Sequence, residues 1–229
     1  QHGIDSYYMD HAYFNSGYTG KCWMRIQKNG HSSTTLVDVP SDRWKINFKS
    51  NNSIMPWKLN HERGAKIIIC PPTHAVSWYM GIGYDWAESI ETKLKTMLPS
   101  DEWHRIVIRR KPNEPIVDKL GNLVEVKKNE YNTNFNDELV DAHCVISYNS
   151  NVALQATLMG IPVISSSEGS CYGISFSIDD FASGPYPEIF NNEPNRAGLV
   201  YWLSYNQWRL SEIEDGSAWQ LLQNGSYYD

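Results

Sequence analysis

A chain of 229 residues, 41% hydrophobic and 20% charged with a formal net charge of −6, has the composition of a globular protein able to bury a substantial core in one or two domains. The acidic balance gives no global pull toward DNA, RNA or an anionic membrane. No apolar run reaches bilayer-spanning length, and the first residues lack a charged-then-apolar leader pattern, so stable membrane insertion is not expected.

Tryptophan and tyrosine are abundant, at 9 and 14 residues, and such rings fill cores or stack on sugar faces. Cysteines 22, 70, 144 and 171 show no C-x-x-C spacing. Cys70 and Cys144 sit in apolar runs, which points to reduced thiols, a cytoplasmic setting and no zinc site.

Residues 1–63 are loop-rich and aromatic, with strands expected near Tyr7–Phe14 and Trp23–Ile26. The opening residues read as interior chain, which leaves two alternatives: residues removed by processing, or an upstream half that is missing. Asp10, His11 and His31 form the one compact group of potential bases in this region. Transfer to a hydroxyl needs a group that takes its proton, and a carboxylate or imidazole suits that step; a structural hydrogen-bonded pair is the alternative. Ser50–Trp57 is polar and then broken by proline, the pattern of a linker, and the expected division is 1–63 and 64–229.

Beyond it strands alternate with helices. Lys66–Cys70 reads as a buried strand ended by Pro71-Pro72, and residues 85–97 carry helix-period apolar positions at Trp86, Ile90, Leu94 and Met97. Arg105–Ile108 is the next strand and runs into Arg109-Arg110-Lys111. Residues 119–136 read as a protruding loop or hairpin, followed by a short helix to Asp141. Asp141 to Ser165 reads as strand, polar turn, helix stopped by Gly160, and strand begun at Pro162, which is a βαβ unit. Helices are expected near 195–205 and 211–222. This grammar predicts an α/β fold with a Rossmann-like parallel sheet, preceded by a smaller, less regular region.

In such a sheet the turn after a strand binds ligands, and free amides at Ser150, Asn151 and Val152 favour an anion, most simply a phosphate. Ser147, Asn149, Ser150 and Asn151 are the residues placed there; Ser147 or Asn149 capping the helix is the plainer alternative. Arg109 and Lys111 belong to the same sheet edge and could neutralise a diphosphate, as against a solvated basic turn. Thr73, His74 and Glu168 also follow strands at that edge, as cleft residues or as ordinary polar loop.

The string Val145-Ile146-Ser147, Asn149-Ser150, Val152-Ala153-Leu154 and Gly160-Ile161-Pro162-Val163-Ile164 resembles the donor-binding segment of GT-B glycosyltransferases, especially those related to capsular-polysaccharide (Kdo-type) transferases and similar bacteriophage-encoded proteins. A second stretch, Leu203, Gln207-Trp208, Glu212-Ile213 and Gly216, is similar to the closing element of the same group. Together they span roughly residues 65 to 222. The resemblance implies a GT-B C-terminal-domain-like unit that binds a nucleotide-sugar donor, with the acceptor side from the N-terminal part. It implies no metal and no cofactor, because helix termini and basic side chains stabilise the leaving diphosphate. Asp179-Asp180 is an adjacent pair rather than an Asp-x-Asp motif. The acceptor stays open: glycan, lipid-linked sugar, protein or modified DNA base. A nucleotide-sugar epimerase and a non-catalytic nucleotide or sugar-binding protein are the alternatives of the same fold.

Overall fold

The computed structural model describes residues 5–15, 23–32, 35–111, 115–126 and 135–224. In chain order the strands are β1 (Tyr7–His11), β2 (Trp23–Lys28), β3 (Lys66–Cys70), β4 (Ile106–Ile108), β5 (Pro115–Val117), β6 (Leu123–Val126), β7 (Ala142–Ser147), β8 (Val163–Ser165) and β9 (Gln207–Arg209). The helices are α1 (Asp42–Asn47), α2 (His74–Met80), α3 (Trp86–Met97), α4 (Phe135–Val140), α5 (Val152–Leu158), α6 (Arg196–Tyr205), α7 (Leu210–Glu214) and α8 (Ser217–Asn224).

These elements form two compact units, one of residues 1–54 with 195–229 and one of residues 55–194. The break at 54/55 lies inside the expected linker, but the division differs from 1–63 and 64–229 because the C-terminal segment joins the N-terminal one. The cause is strand pairing. β9 adds antiparallel to β2, with Met24 opposite Trp208, in a sheet of order β1-β2-β9. Trp208 is then buried against Ile26, Ala218 and Leu222. Arg43 of α1 ties the same pieces, donating to the carbonyls of Ser204 (2.8 Å) and Gln207 (2.7 Å) and pairing with Glu212 at 2.9 Å. The expected helix 211–222 is broken at Gly216, where φ is +83°, into α7 and α8.

Residues 55–194 hold a four-stranded parallel sheet of order β4-β3-β7-β8. β3 and β7 are its inner strands, and every residue of β7 is buried. Their near-continuous apolar runs are what a sheet covered on both faces requires. Ile67, Ile69, Cys144 and Ile146 meet Leu94, Leu98, Phe181 and Phe190 in one core, and Trp86, Ile90 and Met97 of α3 pack on it as their spacing predicts. Gly160 stops α5 at φ +76°, and residues 55–58 run across that end, with Met55 N bonded to Leu158 O at 2.7 Å and Lys58 N to Gly160 O at 3.0 Å. A short hairpin, β5-β6, begins before the expected protruding segment of 119–136 and reaches into it, and residues 127–134 of that segment lie outside the described residues.

The amino edge of this sheet is clamped by two arginines. Arg63 donates to the carbonyls of Lys58 (2.7 Å) and Phe190 (2.9 Å). Arg105 donates to Ala65 O (2.7 Å), pairs with Glu102 at 2.7 Å and lies over the Tyr186 ring at 4.1 Å. Between them His143 is 0% exposed and stands edge-on to Tyr186, 5.1 Å between centroids, with no hydrogen bond to either ring nitrogen. Burial above all, then the charges of Arg63 and Arg105, push its pKa down to about 3. Among the described residues no helix is long and apolar enough to cross a membrane.

Candidate functional site

Parallel register brings four loops to one rim. Cys70 is opposite Ser147, Ile69 opposite Ile108 and Ser147 opposite Ser165, so the chain leaves all four strands on the same side. It runs from β3 outward to β4 and then returns past β3 to β7, which makes the β3/β7 boundary the topological switch point, where open α/β sheets hold ligands. Ser147 ends β7, and Thr73, His74, Arg109, Lys111, Asn149, Ser150, Asn151 and Glu168 follow strands at the same rim.

Their individual settings differ. Ser147 is buried and its hydroxyl accepts from Ser150 N at 3.1 Å, while the Ser150 hydroxyl accepts from Val152 N at 3.3 Å. Two of the three amides expected to be free for an anion are therefore taken by serine side chains, because short hydroxyls satisfy helix-start donors locally. Asn151 sits at the cap position of α5 without a side-chain cap bond. Asn149 Nδ2 lies 3.9 Å from Met80 Sδ, which joins the switch loop to α2. Thr73 caps α2 by accepting from Val76 N at 3.3 Å. Arg109 is buried, paired with Glu138 at 2.8 Å and stacked on Phe135 at 4.2 Å. Arg110 pairs with Glu88. Lys111 is the basic residue of this run whose ammonium makes no ion pair among the described residues.

Lys111, Arg110, His74, Ser77, Tyr84 and Trp86 line an open cleft beside the loops after β3 and β4, together with prolines 71, 72 and 115. His74 and Tyr84 are stacked, 5.0 Å apart and 7° from parallel. Trp86 meets Tyr148 edge-on at 5.8 Å, which carries the aromatic surface across to the switch loop. Tyr148 has its pKa raised by desolvation first and by the Glu168 carboxylate second. Sequence reasoning does not reach Tyr84 or Tyr148, and the helix-period spacing of Trp86 marks it only as a core position. A ring immediately after a strand end is the signal that could have found Tyr148.

In the other unit Asp10 and His31 do come together, and Arg25, opposite Asp10 in the β1-β2 pairing, is the residue that joins them. Its guanidinium pairs with Asp10 at 2.7 Å, contacts His31 Nε2 at 3.1 Å and donates to Ser32 Oγ at 3.3 Å. Arginine only donates, so His31 Nε2 is the acceptor and Nδ1 carries the proton toward Ser32 Oγ, 3.1 Å away. Burial, then the Arg25 charge, lower the His31 pKa to about 4 against the opposing pull of Asp10. Desolvation is the largest influence on Asp10, yet the His11 amide and Arg25 outweigh it and hold the carboxyl below its usual range. His11 alternates to the opposite face of β1, with Met24 as its partner, and only its backbone N–H reaches Asp10, at 2.7 Å. Replacing Arg25 with Met is expected to raise the His31 pKa toward ordinary imidazole values, read from its ring protons by NMR titration; an unmoved titration would show burial alone sets it.

No protein-family model matches the chain, and no curated protein matches it significantly. The chemistry of the rim has to be taken on its own terms. Among the described residues no group of three or more His, Cys, Asp or Glu is placed to hold a metal ion. The rim offers a cationic side chain, hydroxyls, a carboxylate and two pairs of aromatic rings, a set suited to a ligand with an anionic part and a polyhydroxylated part.

Proposed function

We propose that residues 55–194 bind a nucleotide-sugar and that the protein is a metal-independent glycosyltransferase of the GT-B type, passing the sugar to an acceptor hydroxyl. One observation supports this reading above the others: the switch-point loop and the cleft of His74 and Lys111 share a single rim and are joined through Trp86 and Tyr148. In this reading Lys111, with Arg110 beside it, faces the diphosphate, and Glu168 accepts from sugar or ribose hydroxyls.

A non-catalytic sugar-nucleotide binder is the second reading. It is favoured by how many expected ligands are already engaged within the chain, namely Arg109 by Glu138, the amides of Ser150 and Val152 by serine hydroxyls, and His31 by Arg25.

Thermal unfolding with UDP-, GDP- and CMP-sugars tests both. A ligand at one hundred times its Kd adds about 2.7 kcal/mol, an upward Tm shift on the order of 5 °C or more for a chain of this size. Lys111→Ala is expected to abolish most of that shift. Transfer or hydrolysis that releases free nucleoside diphosphate marks the transferase, and binding without turnover marks the binder. Isomerised sugar without release would mark an epimerase, and no shift with any sugar nucleotide would sink the donor assignment.

A further inference from the structure

We propose that the cleft between the loops after β3 and β4 is a saccharide subsite, taking one pyranose ring, either the sugar of the nucleotide donor or the end unit of a glycan. It rests on the proposed transferase reading only for the donor as a source of that ring; the chemistry of the cleft points to a sugar by itself.

Among the described residues the Ser77 hydroxyl, the Tyr84 hydroxyl, the Trp86 indole N–H and the Lys111 ammonium make no hydrogen bond or ion pair. Ser77 is only 4% exposed and lines the cleft. Ser77 shares α2 with His74, which also lines the cleft, so the helix that Thr73 caps fixes both.

The rest of the lining is ring-shaped and apolar: three prolines, Val117 and the faces and edges of aromatic residues. A pyranose presents C–H faces bordered by hydroxyls, and this alternation of apolar walls with hydroxyl, N–H and ammonium groups matches it. A nucleobase is a poorer fit, because it needs an open aromatic face. His74 already covers one face of Tyr84, and Gly121 of the hairpin abuts the Cε2 edge, where a Cβ would stand 2.9 Å away. Trp86 also connects the cleft to Tyr148 and thereby to Glu168, a carboxylate able to accept from further hydroxyls. On the outer side of α2, Trp78 and Tyr79 are 74% and 66% exposed, a surface on which a second and third sugar unit would stack.

Saturation-transfer NMR and titration calorimetry on the full chain decide it, with UDP, GDP, UDP-glucose, GDP-mannose and neutral hexasaccharides (maltohexaose, cellohexaose, chitohexaose) as probes. Ser77→Ala and Tyr84→Phe each remove one hydroxyl and keep the helix and the His74 stack, so folding is retained. Each is expected to weaken a sugar-bearing probe about 3- to 10-fold, the effect of one lost hydrogen bond, and to leave the bare nucleoside diphosphates unchanged. Trp78→Ala separates the sources: it weakens a hexasaccharide and leaves a nucleotide-sugar untouched.

Equal weakening of the bare diphosphates would overturn the proposal, as would sugar binding indifferent to Ser77 and Tyr84, or no binding by any probe. A hexasaccharide that binds with the expected variant pattern while no nucleotide-sugar binds leaves the saccharide subsite standing and removes the donor reading. Nucleotide-sugar binding insensitive to both substitutions does the reverse.

Discussion

Wild-type protein is expected to lose roughly 3 kcal/mol more stability than the His143→Leu variant when the pH is taken from 7.5 to 4.5. The imidazole is fully buried against Phe181, Tyr186 and Phe190, and its pKa in the folded chain is about 3. An unfolded histidine titrates near 6.5, so the unfolded chain takes up the proton first. The stability this group permits is complete above pH 6.5 and is lost progressively as the pH falls toward 3, at about 1.4 kcal/mol per unit. His31, with a folded pKa of about 4, acts in the same direction within the other unit, so a residual slope stays in the variant. At pH 7.5 the leucine chain should be at least as stable, since two buried ring nitrogens without hydrogen bonds are gone. Urea melts of both proteins at the two pH values make the measurement, and parallel pH slopes would mean that His143 is not the acid-sensitive group.

Gly160→Ala should cost at least about 3 kcal/mol, and Gly216→Ala only about 1 kcal/mol. Both glycines have left-handed backbones, with φ of +76° and +83°. A Cβ at 216 meets nothing within 4 Å, whereas at 160 it would stand 2.1 Å from the Pro56 carbonyl oxygen and 3.1 Å from Trp57 Cα. Those are main-chain atoms, and they cannot swing aside as a lysine tip would. The segment is also pinned by Met55 N to Leu158 O and Lys58 N to Gly160 O, so the clash can be relieved only by breaking the chain's crossing over the end of α5. Equal denaturation midpoints for the two variants would show that the crossing is loose.

Much of the α/β unit was legible because its signals are local. Lys66–Cys70 and Ala142–Ser147 carry uninterrupted apolar runs, and the 86–97 helix carries its core positions at the right period. Gly160 and Pro162 punctuate the βαβ turn. What stayed hidden depends on partners far away in sequence. The three residues of β9 have no strand signature of their own, and only pairing with Trp23–Arg25 makes them a strand. That pairing also moved the whole C-terminal segment out of the unit to which contiguity had assigned it. At the rim, chain order was enough to bring the loops after β3, β4, β7 and β8 to one edge, but spacing could not reveal that Glu138 takes Arg109 or that serine hydroxyls take the amides. Arg25 was missed for a similar reason, since its link to Asp10 and His31 exists only across the β1-β2 ladder.

The split unit sets an order of events as the polypeptide leaves the ribosome. All four parallel strands of residues 55–194 have emerged once Ser165 is made, so that sheet has its full set of partners early. β2 has β1 from the outset but waits roughly 180 residues more for β9, a very long loop to close. Until then a nascent chain carries one hydrogen-bonding edge bare, beside the aromatic residues Trp23, Trp44 and Phe48, and that edge is where a chaperone would have most to protect.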